Sequence, residues 1–210
     1  MYKLLSLAAL VIVIDQASKL AVKGFSFLGI SHPGMELYES HSIIGDLLRF
    51  TYVENPGMAF GLNFDMPVVL SLFSIGASVF LVYLLRQTER EGITGLRVAL
   101  ALILGGAVGN LIDRVFYGIA YGYATVFHGR VVDFVDINIP NVNLFGFSLD
   151  RFYVFNIADA AVTIGVLLLL IYYPSRQEQK IVEEPPKVPE PGMPNPPDHI
   201  PATGLQHPPA

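Results

Sequence analysis

The chain has 210 residues, 52 % of them hydrophobic and 15 % charged, with a formal net charge of −5. Long uninterrupted apolar runs at this length point to a bilayer rather than to one soluble core, and no basic patch with interleaved aromatics marks a nucleic-acid partner. The absence of cysteine excludes disulfides, thiolate nucleophiles and Cys-ligated zinc; the five histidines (His32, His41, His128, His199, His207) lie outside the apolar runs without HExxH spacing, so neither metal nor cofactor is expected.

Four segments approach the roughly 20 apolar residues that a hydrocarbon core requires. The first, about Leu4 to Val22, is interrupted by Asp15 and Lys19. A cleaved signal peptide is the alternative there, because Lys3 precedes the run, but Asp15-Gln-Ala-Ser-Lys19 offers no small-x-small cleavage site. A loop of about Lys23 to Met66 leads to the second span, about Pro67 to Leu85, which carries no charge. The third, about Gly95 to Ile112, has Arg97 at one end and Asp113 at the other. Its Gly105, Gly106 and Gly109 form a small-residue face, read as packing between spans of this chain. A second loop, about Arg114 to Arg151, precedes the fourth span, about Phe152 to Tyr173, apolar except for Asn156 and Asp159. Both loops are aromatic and glycine-rich, which suggests short strands or interfacial segments, with Phe145-Gly-Phe147 at the membrane surface. From about Pro174 the chain turns proline-rich and polar, so residues 1–174 are expected to form the membrane domain and 175–210 a disordered tail.

Orientation follows from the basic residues. Lys3, the Arg86, Arg90 and Arg97 loop, and Arg176 with Lys180 place both termini and the middle loop in the cytoplasm. The two long loops then face outward. On that topology Asp15 and Lys19 lie in the outer half of the first span, and Asn110 and Asp113 end the third. Asp159 falls about 10 Å below the outer end of the fourth, at 1.5 Å per residue. The polar groups therefore share one depth, near the outer leaflet.

Ionisable side chains inside a membrane read by default as functional. Asp15 and Lys19 are i,i+4 neighbours in the favourable order, and their bland reading is a paired charge that braces the first span. Asn110 shares a face with Asp113, and Asn156 with Asp159; the asparagines read as hydrogen-bond partners. Asp113, next to Arg114, reads as a structural ion-pair member, and Asp136 as a solvated carboxylate. Chemistry alone leaves Asp113, Asp133 and Asp136 open as the partner of Asp159. Two close carboxyls hold one proton between them, so one can activate a water while the other polarises a peptide carbonyl. Proton or ion transport is the rival use, but it expects sites near the midplane and an internal repeat. A non-catalytic scaffold leaves the common depth unexplained.

The ordered set Asp15-Gln-Ala-Ser-Lys19, Glu54-Asn-Pro-Gly-Met-Ala-Phe-Gly61, Gly105-Gly-Ala-Val-Gly-Asn-Leu-Ile-Asp-Arg114, Val131-Val-Asp-Phe134 and Phe155-Asn-Ile-Ala-Asp159 resembles the bacterial lipoprotein signal peptidases (signal peptidase II) over about Leu4 to Tyr173. The resemblance implies a multi-pass inner-membrane aspartic endopeptidase, a monomer, that cuts prolipoproteins just before a diacylglyceryl-modified cysteine. It implies an all-α membrane fold: a four-transmembrane-helix bundle with a small extracytoplasmic β-sheet from the first outer loop. It assigns the catalytic pair to Asp133 and Asp159. Asn110, Asp113, Arg114 and Asn156 would support the site, Asn55 would lie close to substrate, and Asp15 with Lys19 would brace the first span. Membrane lipid and globomycin-type inhibitors are implied partners. The stretch between Asp113 and Asp133 is longer than the family pattern, and the proline-rich tail is not part of it.

Overall fold

The computed structural model describes residues 2–59, 62–63, 67–88, 93–138, 142–144, 147–149 and 153–183. Helix α1 (Tyr2–Lys23) is a largely apolar run without proline or glycine, and Gly24, at φ +80°, ends it in a left-handed cap. Pro67, suited to a first turn, opens α2 (Pro67–Gln87). Helix α3 (Thr94–Ile112) does not stop at the expected boundary. It continues through a π-helical turn (Asp113–Tyr117) into a last turn, α4 (Gly118–Ala120). Such π turns are rare and frequent at functional sites.

Helix α3 is the central element, packed on α1, α2 and α5 (Ile157–Glu183). The glycine face makes this possible. A Cβ on Gly106 would sit 2.3 Å from the Ala158 carbonyl oxygen of α5, and one on Gly105 2.9 Å from the Ala8 carbonyl of α1. The small residues thus join helices of one chain, as expected. Ala8, Leu81, Leu85, Leu100 and Leu104 form the bundle core.

Among the described residues the strands fall into four groups. Hairpins β1 (Phe25–Phe27)–β2 (Ile30–His32), β5 (Met58–Ala59)–β6 (Leu62–Asn63) and β8 (Val142–Leu144)–β9 (Phe147–Leu149) are separate pairs. The larger sheet has the order β3 (Ser40–Ile44), β4 (Leu48–Asn55), β7 (Val131–Ile137), all antiparallel, with Val53 opposite Asp133 and a bulge between Phe50 and Val53. Bulges re-aim side chains and concentrate near active sites. A second core of Val22, Tyr52, Tyr117, Val132 and Phe134 ties this sheet to the ends of α1 and α3.

Three expectations change. The sheet is not confined to the first long loop, because its third strand, the one bearing Asp133, comes from the second. The fourth helix starts at Ile157, not Phe152: Phe155 pairs with Val135, donating its N–H at 3.0 Å and accepting at 2.7 Å. Asp159 therefore lies in the first turn of α5, not two turns down. The helical backbone also passes Pro174 and reaches Glu183. The tail from 184 onward, the Phe60-Gly61 end of the second motif and Phe145-Gly146 lie outside the described residues.

The helices Lys3–Lys23, Pro67–Gln87 and Thr94–Ala120 are long and apolar enough to cross a membrane, while the apolar part of the last, Ile157–Tyr173, is shorter. Their outer faces expose Val13, Ile14, Leu72, Phe73, Leu170 and Ile171, an apolar belt of the kind lipid covers. The protein is a membrane-type helical protein with small β-sheets.

Candidate active site

Asp15, Lys19 and Asp113 have fully buried side chains. The Lys19 ammonium is saturated: it meets Asp15 Oδ2 at 2.8 Å, Asp113 Oδ2 at 2.8 Å and Asn110 Oδ1 at 2.9 Å. Two carboxylates around one ammonium leave a negative charge, and neutral donors complete the balance. Gln16 Nε2 donates to Asp113 Oδ1 at 2.7 Å, the Val132 N–H to Asp113 Oδ2 at 3.1 Å, and the Ala158 N–H to Asp15 Oδ1 at 2.9 Å. Asp113 is thus an ion-pair member, as expected, but its partner is Lys19 of α1 and not the adjacent Arg114. Close approach of α1 and α3 here depends on Gly109, where a Cβ would lie 2.7 Å from Asp15 Oδ2.

The start of α5 sits on this platform. Asn156 is its N-cap and Asp159 its third residue, and they bond reciprocally. The Asp159 N–H donates to Asn156 Oδ1 at 2.9 Å, and the Asn156 N–H to Asp159 Oδ2 at 3.3 Å. This is the capping-box pattern built from the shorter Asn and Asp, with a carboxylate at the positive end of the helix dipole. The second helical residue, Ala158, takes its acceptor from Asp15, so three otherwise orphaned N–H groups at this terminus have partners.

The same asparagine reaches the sheet. Asn156 Nδ2 donates to Asp133 Oδ1 at 2.7 Å, with Asn110 Oδ1 at 3.0 Å and the Val132 carbonyl at 3.2 Å also within range. Asn110 Nδ2 donates to Asp159 Oδ1 at 2.7 Å, and Asn55 Nδ2 to Asp133 Oδ2 at 3.3 Å. Asp133 and Asp159 are therefore two carboxyls joined through one residue, Asn156. Its side-chain amide donates to the first and its backbone N–H to the second, and each carboxyl is steadied by a second asparagine. Asp133 is 3 % exposed, and Asp159 is half-buried at the helix mouth. Burial, then the charge of Asp159, raises the Asp133 carboxyl from 3.8 to about 7. A pair of this kind can hold one proton near neutral pH, with one oxygen basic enough to activate water.

The expected site residues Asp15, Lys19, Asn55, Asn110, Asp113, Arg114, Asp133, Asn156 and Asp159 fall in or beside this network. Arg114 lies within electrostatic reach of Asp113, Asp159 and Asp133. Of the three carboxylates left open as partner of Asp159, Asp113 is engaged by Lys19, and Asp136 accepts from Thr51 Oγ1 at 2.7 Å. Asp136 is also buried rather than solvated, because β7 is covered on both faces. Two contributors were not singled out. Gln16 binds three groups and accepts from Tyr117 Oη at 3.1 Å. Its only sequence signal was its place inside Asp15-Gln-Ala-Ser-Lys19. Among the described residues no three His, Asp or Glu side chains are grouped as metal ligands would be.

With this geometry in hand, comparison with known proteins points one way. The sequence profile described as "Signal peptidase (SPase) II" matches residues 7–174. A lipoprotein signal peptidase from Porphyromonas gingivalis is 36 % identical over 194 residues, covering 80 % of this chain and 81 % of the relative. One from Chlorobium phaeobacteroides is 40 % identical over 168 residues, 79 % of this chain and 92 % of the relative. A solved bacterial membrane enzyme, determined by the in meso method at 2.3 Å, superposes with a TM-score of 0.64 at 28 % identity, covering 88 % of this chain and 95 % of that one. A profile match over residues 7–174, together with relatives at this identity, shows the family: the chain belongs to the signal peptidase II family.

Proposed function

We propose that this protein is a membrane aspartic endopeptidase that removes the signal peptide from diacylglyceryl-modified prolipoproteins, cutting just before the lipidated cysteine, with Asp133 and Asp159 as the reacting pair. The observation that carries this is the Asn156 bridge, which holds both carboxyls at one helix mouth. In the reaction one carboxylate takes a proton from water as it attacks the scissile carbonyl. The other, protonated, donates to the carbonyl oxygen, and the proton passes to the leaving amine as the C–N bond breaks. Close carboxyls share protons as a pair, so acid and base are not divided between the two residues. Asn110 and Asn55 orient the outer oxygens, Arg114 offsets the charge that develops, and Asp15, Lys19 and Asp113 fix the platform.

Four spans with both termini cytoplasmic would put this platform at the outer leaflet and the β4–β7 sheet outside the cytoplasm; the arginines after α2 and the shared level of the polar residues support that topology. A lipid-anchored cysteine presents its peptide bond at that depth, and its acyl chains would enter between helices from the bilayer. Residues 1–174 would hold the whole peptidase as a monomer, open to inhibition by globomycin-type peptides. The test is purified protein with a diacylglyceryl-modified prolipoprotein and its unlipidated twin. Cleavage of the lipidated form alone, at the bond before cysteine by mass spectrometry, is expected; equal cleavage of both would remove lipid recognition from the proposal.

A further inference from the structure

A second buried ion cluster lies one turn beyond Lys19. Lys23, the last residue of α1, pairs with Glu54 and bonds Tyr52 Oη at 3.0 Å, and Tyr52 Oη donates to Glu54 Oε1 at 2.6 Å. Arg130 Nη1 approaches Glu54 Oε2 at 3.5 Å. Aromatic faces surround the cations: the Lys23 ammonium stands 4.3 Å from the ring of Tyr121 and 5.3 Å from that of Tyr123, and Arg130 lies 5.6 Å from Tyr123. The side chains of Lys23 and Glu54 are only 8 % and 11 % exposed. Burial alone would favour a protonated Glu54, but bonds from Lys23 and Tyr52 outweigh it and lower its pKa.

Desolvating the Lys23–Glu54 pair, with Arg130 half-exposed beside it, is a poor route to stability, since apolar residues of similar volume serve as well or better. The position of the cluster suggests another purpose. Glu54 immediately precedes Asn55, the last residue of β4, which donates to Asp133. Arg130 immediately precedes Val131, where the strand bearing Asp133 begins. Lys23 ends the helix that bears Lys19. Strand ends fray easily, and beyond Asn55 the chain leaves the sheet through Gly57 at φ +131°. Three of the cluster's members, Tyr121, Tyr123 and Arg130, come from the stretch between Asp113 and Asp133.

We propose that the Lys23–Glu54–Arg130 cluster, with Tyr52, Tyr121 and Tyr123 around it, is a positioning device that locks the end of β4 so that Asn55 stays on Asp133. It rests on the reading of Asp133 and Asp159 as the reacting pair. Loosening the cluster weakens the Asn55 donor. A carboxylate that loses a donor is harder to ionise, so its pKa rises. The charged groups facing Asp133 are otherwise unchanged: Asp159 from α5, Lys19 from α1 and Arg114 from the π turn.

The test measures kcat, KM, pH–rate profile and thermal stability on the lipidated substrate for wild type, Glu54→Gln, Lys23→Met, Tyr52→Phe, Asn55→Ala, the Glu54→Gln/Asn55→Ala double variant and Asp133→Asn. Glu54→Gln and Lys23→Met are each expected to lower kcat about tenfold and to move the profile to higher pH, as Asn55→Ala does. In the Asn55→Ala background, Glu54→Gln should cost less than about twofold more. A through-space charge effect would instead shift the two variants in opposite directions, and that result overturns the proposal. So does a profile that does not move while activity merely follows the folded fraction. If Glu54→Gln does not fold, Tyr52→Phe, which removes one hydroxyl, decides by the same upward shift or its absence. Full activity in Asp133→Asn removes the dyad and this proposal with it. An inactive Asp133→Asn beside an unshifted, fully active Glu54→Gln removes this proposal alone.

Discussion

Replacing Lys19 with Met tests the platform beneath the reacting pair. The substitution keeps the length and apolar stem of the side chain and deletes the ammonium. Three bonds go with it, at 2.8, 2.8 and 2.9 Å, to Asp15, Asp113 and Asn110. Two fully buried carboxylates are left without a bonded cation, and their remaining hydrogen-bond donors, Gln16 Nε2 and the Val132 and Ala158 N–H groups, are neutral. Breaking a buried pair by removing one partner costs about 3–5 kcal/mol, roughly a fifth or more of the stability of a typical domain. At about 2–4 °C per kcal/mol for a chain of this size, the melting temperature should fall by about 6–20 °C. Asp113→Asn should cost less, because it leaves one carboxylate facing one ammonium. Adding it to Lys19→Met should recover part of the loss. The assay is thermal unfolding of the purified variants in one detergent, followed by circular dichroism. A Lys19→Met protein melting within about 2 °C of wild type, or a more damaging Asp113→Asn, would refute the idea that this ammonium holds α1 against α3.

Two further outcomes follow from the same geometry. Asp133 has a native carboxyl raised from 3.8 to about 7 by burial and by Asp159. The native state therefore keeps a proton that the unfolded chain has released. The stability this proton contributes is complete below the unfolded value and is lost as pH rises through about 7. Asp133→Asn does not titrate, so its melting temperature relative to wild type should rise between pH 4 and 7 and level off above; a difference independent of pH would contradict the raised carboxyl. Gly106→Ala puts a methyl 2.3 Å from the Ala158 carbonyl, whereas at Gly76 of α2 a Cβ meets nothing within 4 Å. Gly106→Ala should lose stability and activity together, while Gly76→Ala should gain up to about 1 kcal/mol of helix propensity; thermal melts that rank them in the opposite order would refute the close α3–α5 contact.

The parts legible in the sequence were those set by local spacing. Asp15 and Lys19 stand four apart on one helix face, and Asn110 precedes Asp113 as Asn156 precedes Asp159 by three. Alternating span directions brought them to one level, and the structure joins them in one network. The parts that escaped depend on pairing across long stretches of chain. Phe152 to Asn156 reads as helix because an apolar run has the same composition in either state, yet Phe155 pairs with Val135 and α5 waits for Asn156. Asp136 looked solvated because the cover on both faces of β7 comes from segments far away in sequence. Lys23 and Glu54 are 31 residues apart, and no local pattern announces that they meet. The choice of Asp133 came from a family resemblance, since helical spacing does not reach across the second loop.

The most direct measurement of the proposed dyad is single-turnover cleavage of a lipidated prolipoprotein by wild type, Asp133→Asn and Asp159→Asn, each shown to be folded by its melting curve. Each carboxamide still fills its place between the neighbouring asparagines but neither shares the proton nor activates water. Loss of cleavage in both folded variants, with substrate still bound, is the expected result. Turnover near the wild-type rate in either one would contradict a mechanism in which these two carboxyls act as a pair.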